Sequence, residues 1–201
     1  MVNQFTESAG AGGTIAPPFR HKQRMEIVLR DVQAAVASFN DTFQEHYPRV
    51  VALLARLTGD RAQAEEIASD VFQKLVQKPP QGDNPAPWIY RVATNAGLDA
   101  TRANLRRRKK EREAGVEQLR ISRSGDALED MLREERRARV RAVLARMKAR
   151  DSRLLLLRAS GMAYKELAET LGIPAGSVGT LLARAEAEFE RRFRGRYGDD
   201  L

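Results

Sequence analysis

Apolar residues recur at spacings of three and four through most of this 201-residue chain, and such spacing predicts helices. The first run covers residues 39–57, with Pro48 at a predicted join between two helices. A second run covers residues 60–78, and a third covers residues 87–110. No alternation typical of strands occurs, so the pattern predicts an all-α fold.

Turn residues separate these runs. Gly59 is placed to end the first run, and Asp60 to cap the second helix through its carboxylate. The stretch PPQGDNPAP at 79–87 has the composition of a loop.

The periodicity is interrupted once more before it returns. Residues 111–127 lose it, and helical spacing resumes at Leu128, with Asp151 placed to cap a later short helix. We therefore expect a flexible tail at 1–25, a helical domain at 26–112, a flexible linker at 113–127 and a second helical domain at 128–201.

Residues 163–192 predict two short amphipathic helices around a tight turn. Gly172 suits the left-handed end of the first helix, and Pro174 suits the first turn of the second. The predicted buried positions are Tyr164, Leu167, Ala168 and Leu171, then Val178, Leu181, Leu182, Ala185 and Phe189. This is the pattern of a DNA-binding helix-turn-helix. An ordinary helical hairpin in a bundle has the same pattern.

The composition of the chain restricts the classes of function that it can have. A formal net charge of +8 favours polyanionic partners. The chain has no cysteine and two distant histidines, so neither a metal centre nor a histidine-dependent triad is expected. No phosphate-cradling glycine loop, secretory signal or membrane span is recognisable. We expect a cytoplasmic protein that inserts into no membrane, has no enzymatic activity and needs neither a cofactor nor a small-molecule substrate.

The third run carries a basic block, TRANLRRRKKER at 101–112, that is typical of phosphate binding. Along the same helix Asn95, Asp99, Arg102 and Arg106 share a polar face, and Asp99 is placed to orient Arg102. Trp88 suits either the core or stacking on an unpaired base.

Glu66, Asp70 and Gln73 share one polar face of the second helix. In a basic chain such a face is a candidate protein-docking surface, although a merely solvated face has the same pattern.

The order of three stretches resembles the extracytoplasmic-function (ECF) group of bacterial sigma factors. The stretches are residues 39–72, residues 88–108 and residues 164–189. The resemblance implies a sigma region 2-like domain and a region 4-like helix-turn-helix domain. It implies promoter recognition, promoter melting and transcription initiation with core RNA polymerase and promoter DNA as partners, together with an anti-sigma factor.

The resemblance also assigns residues to three surfaces. Glu66, Asp70 and Gln73 would bind polymerase. The single-stranded minus-ten element would contact Trp88, Asn95, Arg102, Arg106 and Arg107. The minus-thirty-five element would contact Lys165, Ser177, Thr180 and Arg184.

The chain departs from the family pattern at the second DNA surface. Gly179 and Leu181 stand where basic residues are usual, and Ala163 stands where a serine cap is usual. Two alternatives remain open: a stand-alone helix-turn-helix regulator that acts without polymerase, and a basic RNA-binding or scaffolding protein.

Overall fold

The computed structural model describes residues 19–114 and 127–198, with the backbone alone for 19–23 and 127–128. These residues form seven α-helices and no strand, which confirms the all-α prediction. The helices are α1 (Phe19–Thr58), α2 (Arg61–Gln77), α3 (Ala86–Glu113), α4 (Ala127–Leu144), α5 (Ala149–Ala159), α6 (Tyr164–Leu171) and α7 (Val178–Tyr197), with a 3₁₀ turn at Ala175–Ser177.

Helix α1 differs from its prediction in two ways. It is continuous through Pro48, where a join was predicted, and it begins at Phe19, inside the predicted tail. Pro48 and Gln44 are both exposed, so water can take the place of the helical hydrogen bond that proline removes. The rest of the predicted tail, and residues 115–126 of the predicted linker, lie outside the described residues.

The chain divides into two units, residues 1–40 and 41–201. The described part of the first unit is the first half of α1. Its apolar side chains are more than half exposed, and they are Met25, Ile27, Val28, Leu29, Val32 and Val36. Among the described residues no helix is both long and apolar enough to cross a membrane.

In the second unit, residues 41–114 form an amino-terminal region with a core of three helices. Leu54 and Leu57 from α1 and Ile89 and Leu98 from α3 are almost completely buried. Phe72 of α2 is also buried, and its ring meets the edge of Phe43 with the ring centres 5.1 Å apart. Phe72 is therefore a structural residue of this core.

Helices α1 and α3 approach each other closely at Gly97. A Cβ atom there would lie 2.8 Å from a methyl carbon of Leu54 and 2.8 Å from one of Leu57. One turn further along α3, the Thr101 hydroxyl donates a 2.9 Å hydrogen bond to the Leu57 carbonyl. That carbonyl is in the last turn of α1, where helical donors run out.

The turn after α1 is formed as the sequence predicts. Gly59 has a φ of 72°, a left-handed conformation that favours glycine. Asp60 caps α2, because its Oδ1 accepts a 3.2 Å hydrogen bond from the backbone N–H of Gln63. The guanidinium group of Arg141 packs on Gly59, and a Cβ atom at Gly59 would lie 2.8 Å from Arg141 Cζ.

Residues 127–198 form a carboxy-terminal region built on α4, α5, α6 and α7. Its core contains Val143, Leu144, Met147 and Phe193. Helix α5 begins two residues before Asp151, which therefore lies in the first turn and is not the cap. Lys148 occupies the cap position and provides no side-chain hydrogen bond.

The two regions pack directly against each other, because α3 contacts α4, α5 and α6. His46 on α1 lines a cavity of about 520 Å³ between them, together with Glu166 of α6. Its ring meets the edge of Tyr90, and its Nδ1 is buried with no hydrogen-bond partner among the described residues. Burial lowers the pKa of His46 below 6.5, more than the neighbouring Glu45 carboxylate raises it.

We expect Gly97→Ala to destabilise the fold by about 1 kcal/mol or more, because the buried Leu54 and Leu57 must move to admit a methyl group. Gly179→Ala is the matched control, because a Cβ there would lie 3.8 Å from Tyr164, at ordinary contact distance. It should stabilise α7 by about 0.5–1 kcal/mol. Urea unfolding measures both changes, and equal effects would contradict the close approach of α1 and α3.

Candidate nucleic-acid interface

Helix α3 aligns the predicted single-strand residues along one face. Trp88, Asn95, Asp99, Arg102 and Arg106 are spaced by seven, four, three and four residues, which keeps them on one side of a helix. From Trp88 to Arg106 this face extends for about 27 Å, at about 1.5 Å per residue. The predicted face is therefore long enough to follow several nucleotides.

Arg102 is anchored within the protein. Its Nη1 donates to Asp99 Oδ1 at 2.9 Å, and its Nε donates to the carbonyl oxygen of Ala145 at 3.0 Å. The predicted orientation of Arg102 by Asp99 is thus present. The bond to Ala145 was not predicted, and it joins the polar face of α3 to the carboxy-terminal region.

The other members of this face differ in exposure. Trp88 is half-buried, so its indole contributes to packing and still has an accessible part. Asn95 is exposed, and it has no hydrogen bond to another described residue. Arg106 and Arg107 are also exposed, and Arg107 lies 3.7 Å from Glu111 on its own helix. Asn95 and Arg106 therefore have their hydrogen-bonding groups available.

Helices α6 and α7 form the predicted helix-turn-helix. Leu167 and Val178 are completely buried between them, and Leu182 and Ala185 are buried on α7. Gly172 has a φ of 64°, and the next residue, Ile173, donates its N–H to the Ala168 carbonyl at 3.0 Å. This is the predicted glycine end of α6.

Helix α6 lacks the usual serine cap but keeps one of the two hydrogen bonds that such a cap takes part in. Ala163 occupies the cap position and has no side-chain acceptor for the helix N–H groups. The Glu166 carboxylate accepts a 2.7 Å hydrogen bond from the Ala163 N–H. This is one of the two bonds of a capping box, so the absent serine removes only the other.

Tyr164 was predicted to be buried, and this prediction is wrong. Its side chain is 46% exposed, and the guanidinium carbon of Arg158 lies 5.3 Å from its ring centre. A cation over an aromatic ring stabilises such an exposed position. The helical spacing alone does not distinguish this environment from a core position.

The predicted duplex-reading residues have a common exposed side. Thr180 and Arg184 are exposed one turn apart at the start of α7, and Lys165 is exposed on α6. Ser177 is half-buried at the end of the 3₁₀ turn and makes no side-chain cap bond.

The acidic face of α2 is exposed throughout. Glu66, Asp70 and Gln73 are one turn apart, on the side away from the buried Ala68 and Val71. Neither carboxylate forms an ion pair with another described residue. These two charges are therefore available to a partner protein.

Sequence reasoning missed a basic cleft between the end of α3 and the helices α4 and α7. Arg139, Arg146, Arg196 and Tyr197 line it from the carboxy-terminal region. The predicted helical stretch ends at residue 192, although α7 continues to Tyr197. The arginine-rich end of the sequence, RRFRGRY, was the available signal. In the described residues no cluster of metal-binding side chains occurs.

Comparison with known families gives two matches. The family model of sigma-70 region 2 matches residues 42–109, and that of sigma-70 region 4 matches residues 137–189. The first segment contains the acidic face of α2 and the predicted single-strand face of α3. The second contains the helix-turn-helix.

Curated relatives agree with these matches. The chain is 27% identical over 162 residues to the ECF RNA polymerase sigma factor SigE of Mycolicibacterium smegmatis, covering 78% of this chain and 62% of that protein. It is 29% identical over 150 residues to the ECF RNA polymerase sigma factor RpoE of Cereibacter sphaeroides, covering 71% of this chain and 78% of that protein.

A solved structure is also similar. It contains the sigma factor RpoE in complex with the anti-sigma factor NepR from Bartonella quintana. The similarity has a TM-score of 0.45 at 19% identity, over 78% of this chain and 96% of that one.

We expect Arg102→Ala to lower stability by about 0.5–1.5 kcal/mol, because it removes the bond to the Ala145 carbonyl. Arg106→Ala is the matched control, an arginine one turn away with no ion pair to another described residue. It should leave stability within about 0.5 kcal/mol of the parent. Thermal unfolding measures both, and equal stability of the two variants would show that the Ala145 contact contributes nothing.

Proposed function

The chain belongs to the extracytoplasmic-function family of bacterial sigma factors, and from this membership we propose that it binds core RNA polymerase and directs it to a set of promoters. The family match and the order of its two regions along the chain carry this proposal. An anti-sigma factor that restrains it is part of the same proposal, and family membership is its support.

The acidic face of α2 is proposed to bind polymerase. Glu66 and Asp70 are exposed and unpaired in a chain with net charge +8, so they contrast with the rest of the surface. Gln73 extends the face by one turn. Fixed charges at such a site select a basic partner surface and accelerate association.

Helix α3 is proposed to hold the separated strand of the minus-ten element. Opening DNA without nucleotide hydrolysis requires a surface that prefers unpaired strands, through phosphate neutralisation and base stacking. Arg106 and Arg107 supply charge, Asn95 supplies a donor and an acceptor for a base edge, and the accessible part of Trp88 supplies an aromatic surface. Arg102 reaches this DNA only if its bond to Ala145 breaks.

Helix α7 is proposed to enter the major groove of the minus-thirty-five element. Thr180 and Arg184 face outward at its start, where recognition helices contact base edges. Lys165 is placed for a phosphate contact from α6, and Ser177 for a hydrogen bond near the helix start. With Gly179 and Leu181 at neighbouring positions, we expect fewer direct base contacts and a larger part for DNA shape.

Reconstituted transcription tests this function. The full chain and bacterial core polymerase are incubated with a pool of genomic fragments, and transcript starts are mapped. Factor-dependent starts that share two sequence elements are expected. Duplex DNA binding without polymerase binding would instead favour a stand-alone regulator.

In this assay, Glu66→Lys with Asp70→Lys should weaken binding to core polymerase by about tenfold or more, because two exposed charges change sign. The change is measured by fluorescence titration with core polymerase. The matched control reverses an acidic pair on another helix, Glu129→Lys with Asp130→Lys. A similar loss in both double variants would remove the specific role of α2.

Asn95→Ala should slow promoter opening by about tenfold while polymerase binding stays unchanged, because one base-edge contact is worth about 1–3 kcal/mol. Folding should also be unchanged, since Asn95 is exposed. Permanganate reactivity of the opened thymines measures the rate. Normal opening on a duplex promoter would show that Asn95 takes no part in holding the separated strand.

A further inference from the structure

A basic cleft of about 810 Å³ lies between the end of α3 and the helices α4 and α7. Seven arginines, one lysine and two glutamates line it. Arg106, Arg108 and Arg112 belong to the α3 wall, and Arg146 and Arg196 belong to the opposite wall. Cations of the two regions thus face the same space.

The acidic residues of the cleft do not neutralise this charge. Glu113 pairs with Lys109 of its own helix at 3.7 Å, and Glu135 pairs with Arg139 of its own helix at 2.8 Å. Arg106, Arg108 and Arg146 have no ion pair with another described residue. Like charges on two facing walls repel each other, and an anion between them removes the repulsion.

Tyr197 contacts two arginines of the cleft wall that faces α3. The guanidinium carbons of Arg139 and Arg196 each lie 5.4 Å from its ring centre. The Arg196 Nε also donates a 3.0 Å hydrogen bond to the Tyr197 hydroxyl. Two arginines held on one aromatic ring lose less side-chain freedom when they bind a ligand than two free arginines would.

We propose that this cleft binds a linear phosphate polyanion that bridges the two regions. Arginine forks fit phosphate oxygens in pairs, and seven of the fifteen residues that line the cleft are arginines. The backbone of a single-stranded nucleic acid and inorganic polyphosphate share this chemistry. Arg196 and Tyr197 lie beyond the family match at 137–189. The cleft shares Arg102 and Arg106 with the proposed single-strand face of α3, and Arg146, Arg196 and Tyr197 extend it beyond the promoter-reading surfaces proposed above.

The bridge has a structural consequence. The α3 wall is contiguous with Arg102, whose Nε is bonded to Ala145 of the opposite region. A polyanion bound to both walls therefore stabilises the packed arrangement of the two regions and keeps Arg102 engaged.

The test uses the full chain without polymerase, so it is independent of the transcription assay. The probes are a fluorescent oligothymidylate of fifteen nucleotides and inorganic polyphosphate. Each is titrated over a range of salt concentrations. Arg146→Glu with Arg196→Glu should weaken binding of at least one probe by about tenfold and reduce its salt slope by about 1.4, because two phosphate contacts are lost.

The matched control is Arg136→Glu with Arg194→Glu, which makes the same charge changes at exposed positions of α4 and α7 outside the cleft. A loss with oligothymidylate alone identifies a nucleic-acid backbone as the ligand, and a loss with polyphosphate alone identifies the free polyanion. An equal loss in the control would overturn the proposal. So would competition by polyglutamate at the affinity of polyphosphate, since the site would then select charge and not phosphate.

Folding is checked by circular dichroism. If the double reversal unfolds the chain, Arg146→Gln with Arg196→Gln replaces it, because it removes the charge without adding repulsion. A binding loss of less than twofold in that folded variant would equally refute the site.

Discussion

The close approach of α3 to α1 at Gly97 is the constraint on which the other surfaces depend. With no side chain at this position, the methyl groups of Leu54 and Leu57 fill the space against the α3 backbone. The hydrogen bond from Thr101 to the Leu57 carbonyl then fixes the rotation of α3. That rotation directs Asn95 and Arg106 to solvent, so this packing contact and hydrogen bond help to set which face of α3 is exposed.

Helix α3 packs against helices of both regions. One side belongs to the core of the amino-terminal region, and α4, α5 and α6 pack against it from the carboxy-terminal region. The guanidinium group of Arg102 forms one hydrogen bond within α3, to Asp99, and one to the carboxy-terminal region, to the Ala145 carbonyl. Arg102 therefore contributes to the contact between the two regions as well as to the polar face of α3.

Turns, caps and pairs formed by residues close together in the sequence were predictable, whereas contacts between distant residues were not. Gly59, Asp60 and Gly172 act through the backbone of their own turns, so their roles are visible in the sequence. The pairing of Asp99 with Arg102 was predictable for the same reason, because the residues are one turn apart. The Ala145 contact joins residues 43 positions apart and uses a carbonyl oxygen, which every residue possesses. The promoter-reading and polymerase-binding roles of individual side chains stay predictions.

His46 makes the stability of the fold depend on pH. Its imidazole resists protonation when folded, because burial lowers its pKa below the ordinary value of 6.5. The unfolded chain takes up that proton as the pH falls through 6.5, so the unfolded state gains protons that the folded state does not. This histidine therefore makes the chain less stable as the pH falls from neutrality towards 5, before most carboxylates are protonated. The burial of His46 beside Tyr90 thus makes the stability of the fold depend on pH in a range where most carboxylates stay charged.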